Sequence, residues 1–253
     1  SFDNFDSKNI SKYFSGIVAF ENKSNSKALD FFSSSKILIN KHEPYLKRYL
    51  YSLVLENKII QAINEIKRNK GKNNSNFFDA YLLLIVDSLK KNDLNNAHNL
   101  LLEMNNFTKD DRLSLAILES LSQYIYTFKE KKLPKQKKNF GKLSIISETF
   151  QRCHLEDNNT DQYFLKIIND EKSDFTRYNY FYLIYLIENE RIQDARNIAN
   201  SIEFIDTTLL LSQGKNWIEN GKAKKLSKVF SCKNHNDVMA EFLYLISNLY
   251  SSQ

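Results

Sequence analysis

An all-α fold, laid out as an array of antiparallel helix pairs, is what this sequence predicts, and three observations carry the expectation. The 253 residues include only 5 glycines and 2 prolines. That is too little punctuation for a sheet-rich fold with many tight turns, and it suits helices joined by short polar loops. Four stretches then share one pattern: "YFSGIVAFENKSNSKALDFF" (13–32), "RYLYSLVLENKIIQAINEI" (48–66), "LLLIVDSLKKNDLNNAHNLL" (82–101) and "YFYLIYLIENERIQDARNIA" (180–199). In each, an apolar helical stretch runs into a short patch of Glu, Asn, Lys or Asp, and an alanine follows at the head of a second amphipathic stretch. Finally, the alanines keep step. Ala62 lies 34 residues after Ala28, Ala97 lies 35 after Ala62, and Ala195 lies 98 after Ala97, close to three further steps. A period near 34 with two helices per step marks a helical repeat array.

The spacing places the elements in order. Pairs are expected at about 9–40, 43–70 and 76–106. An irregular fourth repeat spans 110–139, where "RLSLAILESLSQYIYTF" (112–128) reads as a first helix and its partner is replaced by "KEKKLPKQKKNFGK". Pro134 and the lysine run there argue for a loop. Further pairs fall at 141–172, around a polar turn at 156–160, at 174–204, and at 206–231, with Gly221 at the turn and "KAKKLSKVF" as the second helix. A lone helix, 236–250, closes the count, and the whole of 1–253 reads as one continuous domain. The alanine has a physical reason: helices joined by a tight turn cross near it, and a small side chain lets their backbones approach. Gly16 serves the same end from the first helix. Phe32, Ile66 and Leu101, four residues beyond their alanines, lie one turn on and on the same face, where they fill the space between one pair and the next. A lone pair cannot bury both faces, so neighbours must stack.

The last helix departs from that plan. Phe242, Leu243, Leu245, Ile246, Leu249 and Tyr250 spread over more than the roughly 100° that one packed face requires. An exposed apolar strip is therefore expected. It would be covered by a further repeat, making 1–253 the N-terminal part of a longer array, or by self-association through Phe242, Leu245, Ile246 and Leu249.

Composition limits the function classes. The longest apolar run, "YNYFYLIYLI" (178–187), is about half of what a bilayer crossing needs, so no transmembrane segment is expected. Net charge is +6, yet 29 lysines stand against 7 arginines, with Asn, Ile, Tyr and Phe abundant. These are residues of AT-rich codons, and arginine, the usual reader of phosphate and bases, is scarce. Nucleic-acid binding through a basic surface is thus the alternative reading rather than the first. Cys153 and Cys232 are too few and too far apart for a disulfide framework; Cys153 reads as a small apolar filler. The chain opens at Ser1 without methionine, which fits an exported, periplasmic protein if a signal was removed, and a cytoplasmic one otherwise.

No chemistry-bearing constellation emerges. His42, His98, His154 and His235 fall in different repeats, with no pair at metal-ligand spacing on one helix. Cys153 and His154 are adjacent, and neighbours on a helix point about 100° apart, which rules them out as a nucleophile–base unit. "GKNWIENGK" (214–222) has neither the spacing nor the preceding strand of a phosphate loop. Asp110–Asp111 and Glu188–Glu190 sit at helix starts or turns, where carboxylates complement the helix dipole. No catalytic residue, metal, cofactor or small-molecule substrate is assigned, and the chain is not expected to be an enzyme.

The phase of Gly16, Ala19, Ala28 and Phe32 resembles the tetratricopeptide repeat. Ala62 and Ile66 match in the second repeat, with Leu50 at the small position; Ala97 and Leu101 match in the third, with Ile85 there; around Ala195 the large position holds Ala199. The match is similar to divergent multi-repeat proteins of bacteria, some of them exported. The resemblance implies a right-handed superhelix whose first helices line a concave face, and a non-catalytic scaffold or adaptor that binds a protein or peptide there. Projecting the phase puts Tyr13 and Ile17, Lys47 and Tyr51, Leu82 and Val86, and Tyr180 and Ile184 in that groove. Tyrosine suits such a surface, offering rigid area and a hydroxyl at low entropy cost.

Overall fold

The structure is a computed structural model that describes residues 7–107, 111–170, 176–202 and 209–251. It is all-helical, with no strand among the described residues. The helices are α1 (Ser7–Glu21), α2 (Asn25–Ser33), α3 (Glu43–Leu55), α4 (Ile59–Asn69), α5 (Phe78–Lys90), α6 (Leu94–Asn105), α7 (Arg112–Glu130), α8 (Lys142–His154), α9 (Thr160–Ile168), α10 (Thr176–Glu188), α11 (Ile192–Ser201), α12 (Leu209–Glu219) and α13 (His235–Ser251). Short 3₁₀ stretches occupy Lys36–Asn40, Asn73–Ser75 and Ala223–Lys228. Residues 131–141, the lysine-rich segment around Pro134, carry no helix. The second helix expected in "KAKKLSKVF" is only the 3₁₀ stretch 223–228, a correction: its six residues, three of them lysine, bury just Ala223 and Leu226, too little to hold a longer α-helix.

One turn is used again and again. Lys23, Asn57, Asn92, Glu156, Glu190 and Gly221 all have left-handed φ, between 55° and 69°. Each follows the C-terminus of a first helix. Around five of them the next N–H reaches back to a carbonyl five residues earlier, Ser24 to Ala19, Lys58 to Leu53, Asp157 to Arg152, Arg191 to Leu186 and Lys222 to Trp217, at 2.7–3.0 Å. This capping arrangement satisfies the last carbonyls of one helix while reversing the chain into the next. Five residues beyond the left-handed residue stand Ala28, Ala62, Ala97 and Ala195, all at 0% exposure. The alanines are thus buried where the expectation put them, one helical turn inside the second helix.

The chain divides into two compact units, with residues 7–91 and 99–107 in one and residues 92–98 and all later described residues in the other. The division runs through α6.

In the first unit α2 packs on α1 and α3, and α4 packs on α3 and α5. Gly16 shows how close the approach is. A Cβ there would lie 2.7 Å from the Phe32 ring, itself fully buried and held between Tyr13 (centroids 5.8 Å apart) and Tyr45 (6.2 Å). The Tyr45 hydroxyl donates to the Phe32 carbonyl, so the buried phenol is not left unpaired.

The second unit is organised around α10, which packs on α9, α11, α12 and the 223–228 stretch. Tyr178 and Tyr180–Ile184 are buried, as are Leu186 and Ile187, so the helix is apolar all round and sits inside. Gly214 of α12 makes room for it: a Cβ there would stand 3.2 Å from both the Tyr180 ring and Leu226. Phe150 of α8 forms a hub, with the rings of Phe164, Tyr178, Phe181 and Phe230 at 5.3–6.2 Å. A polar ladder crosses the same interior. Gln151 donates to Gln123 Oε1 (3.2 Å), and Gln123 donates to Glu119 Oε1 (2.8 Å).

The last helix returns to this core. α13 packs on α8, Phe242 meets the Tyr124 ring at 5.3 Å, and the buried Glu241 accepts two bonds from Arg177 of α10, at 2.6 and 3.0 Å. Val238, Met239, Phe242 and Ile246 are buried; Leu243, Leu245 and Leu249 are half-buried. The expected exposed strip is therefore corrected. Phe242 and Ile246 are core residues of their own unit, at 2% and 4% exposure, and so offer no surface for self-association. Tyr250 lies outside the residues whose side chains are described. Cys153 is also corrected: rather than a small apolar filler it is half of a disulfide with Cys232, their Cα atoms 5.6 Å apart.

Candidate functional site

The structure sorts the eight expected groove residues into two sets. Tyr13, Tyr180 and Ile184 are buried at 4%, 2% and 0% exposure and are corrected to core. Tyr13 is enclosed by Phe32, His42 and Tyr45, and Tyr180 lies in the space that Gly214 leaves. Burial raises both phenols above their ordinary value of 10.0, so neither offers a partner an accessible hydroxyl. Ile17, Lys47, Tyr51, Leu82 and Val86 are half-buried. All five stand on α1, α3 and α5.

Within that second set the structure makes one cluster. Lys47 and Tyr51 are four apart on α3 and share a face. The Tyr51 hydroxyl donates to Asp79 Oδ2 of α5 at 2.6 Å, and Lys47 Nζ stands 3.6 Å from the same oxygen. The Lys47 ammonium also lies 5.6 Å from the Tyr51 ring centre and 5.7 Å from that of Phe77, within reach of both π faces. Asp79, Leu82 and Val86 fall at helical spacings of three and four, so one face of α5 carries them together. The stripe is thus Lys47 and Tyr51 from α3 beside Asp79, Leu82 and Val86 from α5. Sequence reasoning missed Asp79 and Phe77. Their signal was faint: "NFFDAY" (76–81) puts aromatic residues and an acid at the helix start, where the acid reads equally as a dipole complement.

The stripe's charges are pinned. Deeper along α5, Asp87 accepts from Lys67 of α4 at 2.7 Å and Lys91 at 2.8 Å. Burial opposes its ionisation, but these hydrogen bonds hold its carboxyl below the ordinary value. Two open hollows border the unit. One, about 400 Å³, is lined by Ile39, Asn40, Lys41, His42, Glu43, Lys72 and Asn74. The other, about 560 Å³, lies against Phe14, Val18 and Phe31.

Among the described residues no group of three or more His, Cys, Asp or Glu side chains could hold a metal ion. No helix among them is long and apolar enough to cross a membrane. The chain matches no protein-family model, no curated protein and no solved structure.

Proposed function

We propose that this chain is a tetratricopeptide-like scaffold or adaptor, a right-handed solenoid of helix pairs, that binds a protein or peptide without catalysis. The binding surface is the half-exposed stripe of α3 and α5: Lys47, Tyr51, Asp79, Leu82 and Val86, with Ile17 on α1 beside Tyr13's buried ring. The observation that carries this reading is the Lys47–Tyr51–Asp79 cluster. Its side chains are already fixed by a hydrogen bond, an ion pair and ring contacts, so little conformational freedom is lost when a partner arrives. Leu82 and Val86 supply apolar area next to it, and a tyrosine beside an apolar rim suits a binding hot spot. The repeated left-handed turn and the four buried alanines support the tetratricopeptide likeness.

The nucleic-acid reading stays second, since several lysines of the first unit are already paired. Lys36, Lys67, Lys70 and Lys91 each stand within 3.3 Å of a carboxylate, and a phosphate tracker needs a stripe of uncompensated cations.

The test uses peptides selected on the wild-type chain from a random displayed library. The Lys47→Ala/Tyr51→Ala double variant should keep its helicity and weaken those peptides at least tenfold, while the Tyr13→Phe variant binds them as wild type does. Equal binding by the double variant, or loss of all binding above moderate salt together with retention of single-stranded nucleic acid at low salt, would refute the reading.

A further inference from the structure

The second unit is tied shut at one place. Cys153 ends α8, Cys232 lies in the segment that leads into α13, and 79 residues separate them. Both are almost fully buried, at 2% and 1% exposure. The segment carrying Cys232 is anchored on each side of the bond. Upstream, the Phe230 ring lies 4.7 Å from Phe181 and 5.9 Å from Phe150. At the bond, His154 Nδ1 is 2.8 Å from the Cys232 carbonyl, and its ring stands edge-on to Phe128 at 4.9 Å. Downstream, His235 lies 5.6 Å from Phe128, and α13 is held by Glu241 on Arg177 and Phe242 on Tyr124.

We infer that Cys153–Cys232 is a sealed latch, formed in an oxidising compartment and open to thiol reductants only after residues 230–251 lift away from α8. Reduction needs a thiolate to approach one sulfur in line with the bond. With a dithiol reductant, the thiolate attacks one cysteine sulfur, a mixed disulfide forms, and the other cysteine leaves as a thiolate that takes up a proton. The reductant's second thiol then displaces the first cysteine and closes its own ring. Two electrons and two protons have passed from the dithiol to the cysteine pair. Both cysteines are almost fully buried, and on this inference the seated 230–235 segment and α13 keep a thiolate from reaching either sulfur. The slow event is therefore the opening of the latch, not the exchange. Persistence of such a bond requires surroundings that do not keep thiols reduced.

The experiment follows loss of the disulfide in the folded wild-type chain, by mass spectrometry after alkylation, across a series of dithiothreitol concentrations. The rate should level off at high dithiothreitol, at a value set by local opening. Glu241→Gln, which weakens the hold on Arg177, should raise that plateau at least tenfold, and so should Phe242→Ala. Asp87→Asn, which removes an ion-pair acceptor in the first unit, should leave it unchanged. Three results would overturn the inference: a rate proportional to dithiothreitol throughout, a plateau untouched by Glu241→Gln, or free thiols in the chain folded under air. Glu241→Gln and the wild-type series decide the matter even if Phe242→Ala does not fold.

Discussion

Tyr51 and Tyr180 occupy similar phases of the repeat, on the first helix of their pairs, and meet opposite fates. In the first unit each of α1 to α5 packs on its neighbours in sequence. The outer face of the first helices is left half-exposed, and Tyr51 keeps a bonded but reachable hydroxyl. In the second unit α10 is surrounded, α13 comes back to α8, and Tyr180 vanishes into the core. The same local device, a left-handed turn followed by a buried small residue, therefore builds either an open row or a closed body. What differs is how much apolar surface the first helix carries. A helix with one apolar stripe can stop at two neighbours; one that is apolar all round must find more.

The largest expected effect separates the two units outright. Phe150→Ala removes the ring on which four others converge, and should cost roughly 3–5 kcal/mol. Trp217, the only tryptophan, reports on the second unit alone. Its fluorescence should show an early transition while hydrogen exchange in 43–91 stays protected. Loss of protection in both units together would break the comparison.

Next, Gly16→Ala tests how tight the open row is. The Phe32 ring cannot move aside between Tyr13 and Tyr45. The overpacking should therefore outweigh the gain in helix propensity and cost about 1–3 kcal/mol, seen as a lower midpoint for the first unit. A rise in that midpoint would mean that the α1–α2 crossing is looser than its geometry.

A smaller effect comes from pH. Burial pushes the His154 imidazole below its ordinary 6.5, the Lys131 and His235 charges add to this, and the Cys232 carbonyl partly opposes it. A group with a depressed folded pKa of this kind is neutral in the fold, so the unfolded chain takes up the proton first. Stability of the second unit should then fall as pH drops below about 6.5. Glu188, held above its ordinary value by burial, acts the other way at lower pH, so the window to measure is pH 7 to 5.5. His154→Gln should flatten the slope there. The first unit's Asp87, held low, loses its contribution only in more acidic solution. A first unit that softens in the same window would contradict this contrast.

Smallest is a gain that should be equal in both units. Lys23 and Glu190 hold left-handed φ of 57° and 61°, a conformation that strains a side-chain-bearing residue. Lys23→Gly and Glu190→Gly should each stabilise by up to about 1 kcal/mol, read as parallel rises in thermal midpoint. A gain in one unit only would show that the shared turn is not equivalent in the two.

Much of this was legible in the residues themselves. The alanine period fixed where four of the six left-handed chain reversals fall, because a turn of three residues and a small side chain one helical turn later are local requirements that neighbours in sequence must meet. Pro134 and its lysines marked the break after α7 for the same reason. Four of the five residues of the candidate stripe were legible too, since Lys47, Tyr51, Leu82 and Val86 follow from phase alone. Asp79 did not, because its hydrogen bond reaches 28 residues along the chain and no local pattern encodes it. The closure of the second unit was decided only in three dimensions. That α13 would cover its own apolar face against α7, α8 and α10, and that Cys153 would meet Cys232 across 79 residues, depend on which surfaces remain uncovered once the pairs have stacked. Burial of apolar area has no direction and no sequence register, so a periodic sequence determines the pairs but leaves to tertiary packing which of them end exposed and which end as core.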